Sequence, residues 1–586
     1  MSAAGWEPRG NALGKTGGAR RARRGAIAIA AVLAVAGASA RTGLAGPGPG
    51  RALDRKAPSA LADAAAAHPD TIFRVIVQGT KVAARIDGAI AQTPSRGAHV
   101  VDRFRSIPAA SAQLSGAELS ALAADPSVAT ITPDLPAVSL SAKAPGGPAA
   151  GGPGTGGPAA GGPAGGGRGA ATAPTSKDPA WPAAVGVVGR KPAGSGAPAI
   201  AIIDSGIDPQ ITGINPIASV SLYSGTAPQS PGDGNGHGSF VANLAAGNVP
   251  GHTGAAPGAP IVSIDVMADN GDAWTSDLIR ACDWILQNKD AYNIRVVNIS
   301  MQSSAPSSVL YDPLDAAVEH LWLSGVTVVA AAGNYAQSGA QSGVSYAPAN
   351  DPFVITVGAA DDQGTPTTLD DTAAPWSAWG YTPDGFLKPE LGAPGRYIVG
   401  TVGDRTTLMK QHGPNKVGPN LLQLSGTSFA APIVAGIVDD LLVDHPSWTP
   451  DQVKGALMVS ALPTAQGNLQ LGVGEVNFRT ADVVASPPNP NAALGQFVHL
   501  DGVDSYPVFD TAAWESAAAS NAAWASAAWG SAAWSDAAWA SAAWSDAAWA
   551  SAAWSDAAWA SVAWSDAAWG SAAWSDFAAD DGLGEG

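Results

Sequence analysis

Short apolar runs alternate with stretches of helical periodicity through the middle of this 586-residue chain. Continuous apolar runs bounded by turn residues are typical of strands buried on both faces, and such strands form parallel sheets between layers of helices. Five runs fit this description, at 199–203, 261–266, 296–299, 326–330 and 354–357. The pattern therefore predicts an α/β domain with three layers around a central parallel sheet.

A smaller unit is predicted ahead of this domain, at residues 58–142. Its strand patterns lie at 71–78, 100–106 and 128–133, and a helical pattern lies at 116–124. Ser115 is placed to cap that helix, and Glu118 three residues later completes a capping box. The mixture predicts a small α+β unit, but nothing within it indicates chemistry.

The start of the chain has the pattern of a signal peptide over residues 1–40. Arginines precede an apolar run at 26–36, and the small residues Ala38, Ser39 and Ala40 follow it. This order is typical of secretory signal peptides. We therefore expect a secreted protein that is extracellular or associated with the cell surface. A permanent membrane anchor is the alternative, although the run is short for a membrane span, and the export route stays open.

Composition predicts where the chain is divided. Residues 143–178 are almost wholly Gly, Ala and Pro, and such a segment buries too little apolar surface to offset the conformational entropy lost on ordering. We assign the segments as a flexible linker (143–178), the large domain (179–487), a second linker (488–510) and an acidic tail (578–586). Exposed linkers are where proteases cut, so we expect maturation between residues 140 and 179.

Charge and cysteine content narrow the function classes. The formal net charge is −17, the first 56 residues contain ten Lys and Arg, and none follows Arg479. Nucleic acid binding needs clustered cations, which the middle and end of the chain lack, so we exclude nucleic acid as a partner. Cys282 is the only cysteine, and an intramolecular disulfide is therefore impossible.

Three residues of catalytic type lie in the large domain: Asp204 in AIIDSGID, His237 in GNGHGS and Ser428 in SGTSFAAP. Asp204 follows an apolar run, so we expect it at the carboxyl end of a strand, where the active sites of parallel sheets gather. Ser428 precedes an apolar helical pattern, which places it at a helix N-terminus. A serine hydroxyl needs a base to accept its proton, and the base needs a carboxylate to orient it. We therefore predict a catalytic triad.

These motifs, in the order Asp, His, Ser, resemble the subtilisin-like serine proteases, or subtilases, over residues 180–487. The resemblance implies the subtilisin-like fold and a secreted serine endopeptidase. It also implies that Asn334, in VVAAAGN, binds the oxyanion together with the Ser428 N–H, and that the segment VVNISMQSS pairs with extended substrate. The substrate-binding residues that we expect are Ser300, Met301, Gln302, Ala332 and Gly333.

The chain departs from the family pattern at several positions. Phe240 and Asn243 stand where many relatives have His and Gly, but neither position supplies a triad group. Gln302 stands where relatives commonly have Gly, which puts the substrate preference in doubt. Residues 401–422 are expected to form an inserted surface loop that gates access.

The resemblance also implies partners and cofactors. Residues 58–142 would be a propeptide that assists folding and inhibits the enzyme intramolecularly until it is cleaved, and a permanent accessory domain is the alternative. The substrates would be extended polypeptides, and catalysis would require no cofactor. Many subtilases bind structural calcium, but the acids in loops here (Asp208, Asp233 and Asp265) are more typical of solvated or capping residues, so we assign no metal ligand.

Residues 511–577 form a repeat of five and ten residues with twelve Trp between Trp514 and Trp574. A five-residue step advances about 140° on a helix, so the indoles would wind around it. A helix, a solenoid and a disordered acidic tail all stay open. One hypothesis is an exposed aromatic surface that contacts cell wall or polysaccharide. The alternative function for the whole chain is then a catalytically inactive surface or adhesive protein.

Overall fold

The computed structural model describes residues 52–79, 99–140, 179–500 and 507–520, apart from short gaps at 192–193, 195 and 466–468. The predicted signal peptide, the linker at 143–178, the acidic tail and the Trp repeat beyond residue 520 lie outside the described residues. Those predictions, and the division of the chain into domains, stay predictions.

The N-terminal unit is an antiparallel four-stranded sheet with two helices around one apolar core. Its elements are α1 (Ser59–Ala67), β1 (Ile72–Gly79), β2 (His99–Arg103), β3 (Ala109–Ser115), α2 (Gly116–Leu122) and β4 (Val128–Pro133). The strand order is β2-β3-β1-β4. The predicted capping box is confirmed, because the Ser115 side chain accepts from the Glu118 N–H and the Glu118 carboxylate accepts from the Ser115 N–H.

The large domain is built on a sheet of eight strands. Seven follow one another in space in the order β13-β12-β11-β9-β6-β8-β7, and β14 pairs with β12. They are β6 (Ala199–Asp204), β7 (Pro216–Ser221), β8 (Ile261–Asp265), β9 (Ile294–Ile299), β11 (Thr327–Ala331), β12 (Ile355–Asp361), β13 (Thr372–Ala373) and β14 (Leu391–Pro394). Two short strands outside it are β5 (Ala137–Ser139) and β10 (Met301–Ser303). All pairs in the sheet are parallel except that of β13, which confirms the predicted parallel sheet.

Four of the five principal helices of the large domain pack in two pairs. They are α3 (His237–Ala246), α4 (Thr275–Tyr292), α5 (Pro313–Leu323), α6 (Thr427–Asp444) and α7 (Pro450–Val459). Helix α3 contacts α6, helix α4 contacts α5, and each pair also contacts the sheet. Every residue of α3 is buried, which fits an α/β domain with a covered sheet. Within the described ranges, no helix is both long and apolar enough to cross a membrane.

The expected surface loop at 401–422 is instead part of a small antiparallel sheet. Its strands are Ile398–Thr401, Lys416–Gly418 and Leu421–Leu424, and a short helix at Thr407–Gln411 lies between the first two. Asn243, which stands in place of a family glycine, ties α3 to this sheet, because its side-chain oxygen accepts from the N–H and the hydroxyl of Thr401 at 3.0 and 3.1 Å. The segment therefore has regular structure, because strand Leu421–Leu424 pairs with a strand on each side, and its role in gating access stays a prediction.

Two pairs of carboxyl groups are buried in the large domain, and the charge of each member acts on the other. Glu319 faces Asp351, and Glu475 faces Asp371. Burial and the charge of the partner raise the pKa of both glutamates well above the usual value. Burial also raises the pKa of Asp351 to about 6 and that of Asp371 to about 7. Each pair therefore holds a proton more tightly than the unfolded chain does.

We expect these pairs to make the folded protein less stable at alkaline pH. A raised carboxyl pKa contributes stability that is fully present below the unfolded value of about 4 and is lost as the pH rises through the folded value. Tm should fall between about pH 5 and about pH 8. In Glu475→Gln the amide donates to Asp371 without a titratable proton, so Tm at the higher pH should rise by about 2–4 °C, or roughly 1 kcal/mol.

Differential scanning calorimetry at both pH values measures this effect. Asp290→Asn is the matched control, because the Asp290 side chain is 92% exposed, and it should keep the pH dependence of the parent. If Glu475→Gln loses Tm with pH as steeply as the parent does, the buried pair is not a source of the alkaline instability.

Candidate active site

Functional side chains of the large domain meet at the carboxyl edge of three neighbouring strands. Asp204 is the last residue of β6, Ser300 directly follows β9, and Asn334 lies three residues beyond β11. Helices bring two more groups to this edge, since α3 begins at His237 and Ser428 is the second residue of α6. The predicted residues from distant parts of the chain are therefore brought together, as expected for an open parallel sheet.

Asp204 and His237 form a buried pair. The His237 Nδ1 atom lies 2.8 Å from Oδ1 and 2.9 Å from Oδ2 of Asp204, and the Ser205 N–H donates to the same Oδ1 at 2.8 Å. A carboxylate can only accept, so the proton of a neutral imidazole sits on Nδ1 and leaves Nε2 as an acceptor. This is the tautomer that a general base needs.

Ser428 does not hydrogen-bond to this pair. Its hydroxyl donates to the Ser300 carbonyl at 3.1 Å, and the Ser300 hydroxyl donates to the Ser428 carbonyl at 2.9 Å. Among the described residues, His237 Nε2 is buried without a hydrogen-bond partner. The ring of Phe429, next to the serine, lies 5.7 Å from the imidazole centroid. The structure thus joins His237 to Asp204 but leaves Nε2 free.

The Asn334 side chain is fixed in one orientation by Thr427. Its Oδ1 accepts from the Thr427 N–H at 2.9 Å and from the Thr427 hydroxyl at 3.0 Å, and the Thr427 hydroxyl in turn accepts from the Gly333 N–H at 3.1 Å. Both bonds use the amide oxygen, so the NH₂ group must point the other way, where it donates to the Leu140 carbonyl. Thr427 was not predicted as a functional residue, and its place directly before Ser428 is the signal that could have identified it.

A segment that leaves the N-terminal unit occupies the groove beside these groups. Strand β5 pairs antiparallel with β10, so that Ser139 lies opposite Met301 and Val138 lies opposite Gln302. The Leu140 N–H then donates to the Ser300 carbonyl at 3.3 Å. An extended chain bound to an exposed strand in this way is the standard geometry of peptide recognition by strand addition.

The expected substrate-binding residues fall into two groups. Ser300, Met301 and Gln302 pair with the bound segment as described. The Ala332 N–H is used within the sheet, where it donates to the Val357 carbonyl at 3.0 Å. Gly333 has a φ of 113°, and a Cβ there would lie only 3.1 Å from Gln302 Oε1 and closer still to the Tyr335 ring. The Gln302 amide, which is buried, therefore reaches across to Gly333.

The acids considered as metal ligands in the sequence accept hydrogen bonds from protein groups. Asp233 accepts from Ser205 and Ser239, Asp265 accepts from Gln229, and Asp208 accepts from the Gln210 N–H. In the described part of the chain, no group of three or more His, Cys, Asp and Glu side chains could hold a metal ion. Burial raises the pKa of Asp265, which lies opposite Asp204 in the sheet, to about 7.

The fold and this edge of the sheet define a class of protein, an α/β domain whose parallel sheet gathers a serine, a histidine and an aspartate at the carboxyl ends of its strands. Comparison with known proteins gives the family, since the subtilase family model matches residues 195–481. Serine protease AprX of Bacillus subtilis is 35% identical over 236 residues, which are 39% of this chain and 53% of that protein. Subtilisin DY of Bacillus licheniformis is 30% identical over 284 residues, which are 48% of this chain and 89% of that protein. This chain belongs to the subtilase family, whose members are serine endopeptidases.

A solved structure is also similar to this chain. Fervidolysin from Fervidobacterium pennivorans aligns with a TM-score of 0.48 and 23% identity, over 71% of this chain and 62% of that one. The chain spans only about half of the length of AprX, 53%, so its activity, substrates and partners are considered as proposals below.

Proposed function

We propose that the large domain hydrolyses peptide bonds through an acyl-enzyme. In this proposal Ser428 is the nucleophile, His237 is its base, and Asp204 orients the imidazole and stabilises its charged form. Asn334 and the Ser428 N–H bind the oxyanion. Catalysis by these groups requires no cofactor.

The observation that carries this proposal is the position of Leu140. Its carbonyl oxygen accepts from the Asn334 amide, and its N–H donates to the same Ser300 carbonyl that accepts from the Ser428 hydroxyl. A peptide carbonyl thus lies on the donor assigned to the oxyanion, beside the hydroxyl assigned to the attack. Proximity of this kind is what converts a slow bimolecular reaction into a fast unimolecular one.

The reaction would begin when the Ser428 hydroxyl turns from Ser300 to His237. Rotation about χ1 between staggered rotamers can redirect a serine hydroxyl, and Nε2 is buried without another partner. Oγ then bonds to the carbonyl carbon of the substrate while Nε2 takes the hydroxyl proton. The tetrahedral oxyanion collapses, the C–N bond breaks, and the imidazolium gives its proton to the leaving amine. Water repeats the same steps to release the carboxylic acid.

Extended polypeptides are the proposed substrates. The main chain of a substrate would pair with Ser300, Met301 and Gln302 as β5 does. Ala332 and Gly333 would flank the substrate residue that takes the place of Leu140. The N-terminal unit is the proposed intramolecular inhibitor, because its exit segment already fills this groove. Secretion is proposed from the cationic and apolar pattern of residues 1–40 alone.

Fluorophosphonate labelling tests the proposed nucleophile. Such probes react with an activated serine hydroxyl, so the processed wild-type protein should label and Ser428→Ala should not. Lack of labelling in correctly processed wild-type protein would instead favour the inactive surface protein considered above.

The bond between Leu140 and Ser141 is the expected first cleavage site of the precursor. Leu140 is only 6% exposed, so a carboxylate in its place would be buried without a partner, at a cost of several kcal/mol. Leu140→Asp should slow the first cut at least about 10-fold, whereas Leu140→Met keeps the volume and should process normally. A time course of intact mass and N-terminal sequencing measures this. A first new N-terminus other than Ser141 would contradict the assignment.

A further inference from the structure

Asp233 is a buried carboxylate that accepts four hydrogen bonds. Its Oδ1 atom accepts from the Ser205 hydroxyl at 2.9 Å and from the Gly236 N–H at 2.6 Å. Its Oδ2 atom accepts from the N–H of Ser239 at 2.9 Å and from the hydroxyl of Ser239 at 2.6 Å. These donors use both oxygens, so the carboxylate has one orientation and holds all of its partners in place.

The partners of Asp233 are neighbours of the two proposed triad members that form the buried pair. Ser205 directly follows Asp204, and its hydroxyl also accepts from the Gly238 N–H at 2.9 Å. Gly238 directly follows His237. Asp233 is therefore linked through single residues to both members of the pair, yet none of its four hydrogen bonds reaches the imidazole or the carboxylate of Asp204.

The two segments held by Asp233 also lie unusually close together. A Cβ on Gly238 would lie 2.2 Å from the Gly206 carbonyl oxygen, and a Cβ on Gly206 would lie 1.9 Å from the Gly232 carbonyl oxygen. Only glycines permit such an approach. Backbone in contact at this distance transmits a displacement directly, so a shift of the loop at Gly232 would move the start of α3.

We propose that Asp233 is a positioning residue for the reaction. It fixes the turn after Asp204 and the first turn of α3 in one relative position. This position sets the His237 ring against the Asp204 carboxylate. The proposal rests on the proposed function, because it assumes that His237 and Asp204 act as base and orienting group. Asp233 itself touches neither the substrate nor the reacting atoms.

The chemistry of the substitution predicts its effect. In Asp233→Asn the NH₂ group replaces one acceptor and faces a donor, so at least one of the backbone N–H groups of Gly236 and Ser239 loses its partner. The start of α3 should then shift by a fraction of an ångström up to about 1 Å, which costs up to about 10²-fold in turnover. We expect kcat to fall about 10–100-fold with KM within about twofold of wild type.

Two measurements on the full chain test the proposal. The first is kcat and KM, with kcat normalised to the sites titrated by fluorophosphonate so that unprocessed chains do not count. The second is the downfield proton resonance of His237 Nδ1–H, recorded in the Ser428→Ala background, which reports the hydrogen bond to Asp204 without any turnover. Asp362→Asn is the matched control, since Asp362 is also a buried carboxyl that accepts from a backbone N–H, that of Gly364.

The proposal requires Asp233→Asn to lower kcat and also to shift or remove the Nδ1–H resonance, whereas Asp362→Asn changes neither. If Asp233→Asn does not fold, Ser239→Ala tests the proposal, because it removes one of the donors to Asp233. Ser239→Ala should lower kcat about 3–10-fold, and Ser239→Thr, which keeps the hydroxyl, should restore kcat. An unchanged kcat, or a lower kcat with an unmoved resonance, overturns the proposal. Labelling or turnover that survives Ser428→Ala would overturn the proposed function itself, which is a separate outcome.

Discussion

Replacement of Ser428 with alanine should lower kcat by about 10⁴–10⁶-fold and leave the precursor as one uncleaved chain. The physical reason is that the acyl-enzyme cannot form without Oγ, and what remains is catalysis by substrate binding and the oxyanion donors alone. In Ser428→Ala protein whose N-terminal unit has been removed by an added protease, the loss should appear in kcat with little change in KM, because the alanine removes only a hydroxyl from the groove.

The measurement is hydrolysis of a peptide substrate by purified protein, with intact mass as the readout for the precursor. Ser425→Ala is the matched control: Ser425 precedes α6 and accepts from the Tyr397 N–H through its hydroxyl, so its loss should leave turnover within a few-fold. Substantial turnover in Ser428→Ala, above that of a mock purification, would remove Ser428 from the mechanism.

Replacement of Asn334 with alanine should lower kcat by about 10²–10³-fold. That magnitude is the one known for the corresponding donor in subtilisin. Here the amide NH₂ points at a peptide carbonyl and is held there by two bonds from Thr427 to its oxygen. The donor needs no reorganisation when charge develops on the substrate oxygen, so its effect should lie in kcat and not in KM.

Variants at Thr427 test how much the orientation of the Asn334 amide contributes to turnover, apart from the presence of the amide. Thr427→Val removes the hydroxyl bond to Asn334 and should cost turnover only a few-fold, since the Thr427 N–H still holds the amide oxygen. Thr427→Ser keeps the hydroxyl and should be close to wild type. Steady-state kinetics on processed enzyme measures all three variants. If Asn334→Ala keeps kcat within about threefold of wild type, the amide does not stabilise the transition state.

Much of the fold could be predicted because buried parallel strands must be apolar on both faces. All five predicted runs became strands of the central sheet, although their ends shifted by a few residues. Strand β3 was not predicted, because AASAQLS is mostly small residues and lacks the β-branched and aromatic side chains typical of strands. Pairing on both sides makes it a strand nonetheless, since it lies between β1 and β2.

The small sheet at 398–424 likewise could not be predicted from its local sequence. Its strands are three or four residues long and hold too few apolar positions for a period to be recognised. Thr401 is held there by Asn243, a residue 158 positions away. Contacts over that separation leave no local pattern, so the segment was interpreted as a loop.

The sequence by itself determined the kinds of group proposed for catalysis, because a serine, a histidine and an aspartate each stand in a distinctive local motif. It also determined the central sheet, because burial on both faces leaves a continuous apolar run. Only the tertiary structure decided that Leu140 lies on Asn334, that Ser428 bonds to Ser300 in place of His237, and that Asp233 holds the segments around the buried pair. Each of these depends on where distant backbone segments meet, and a hydrogen bond between them is set by packing and not by the residues on either side of it in the chain.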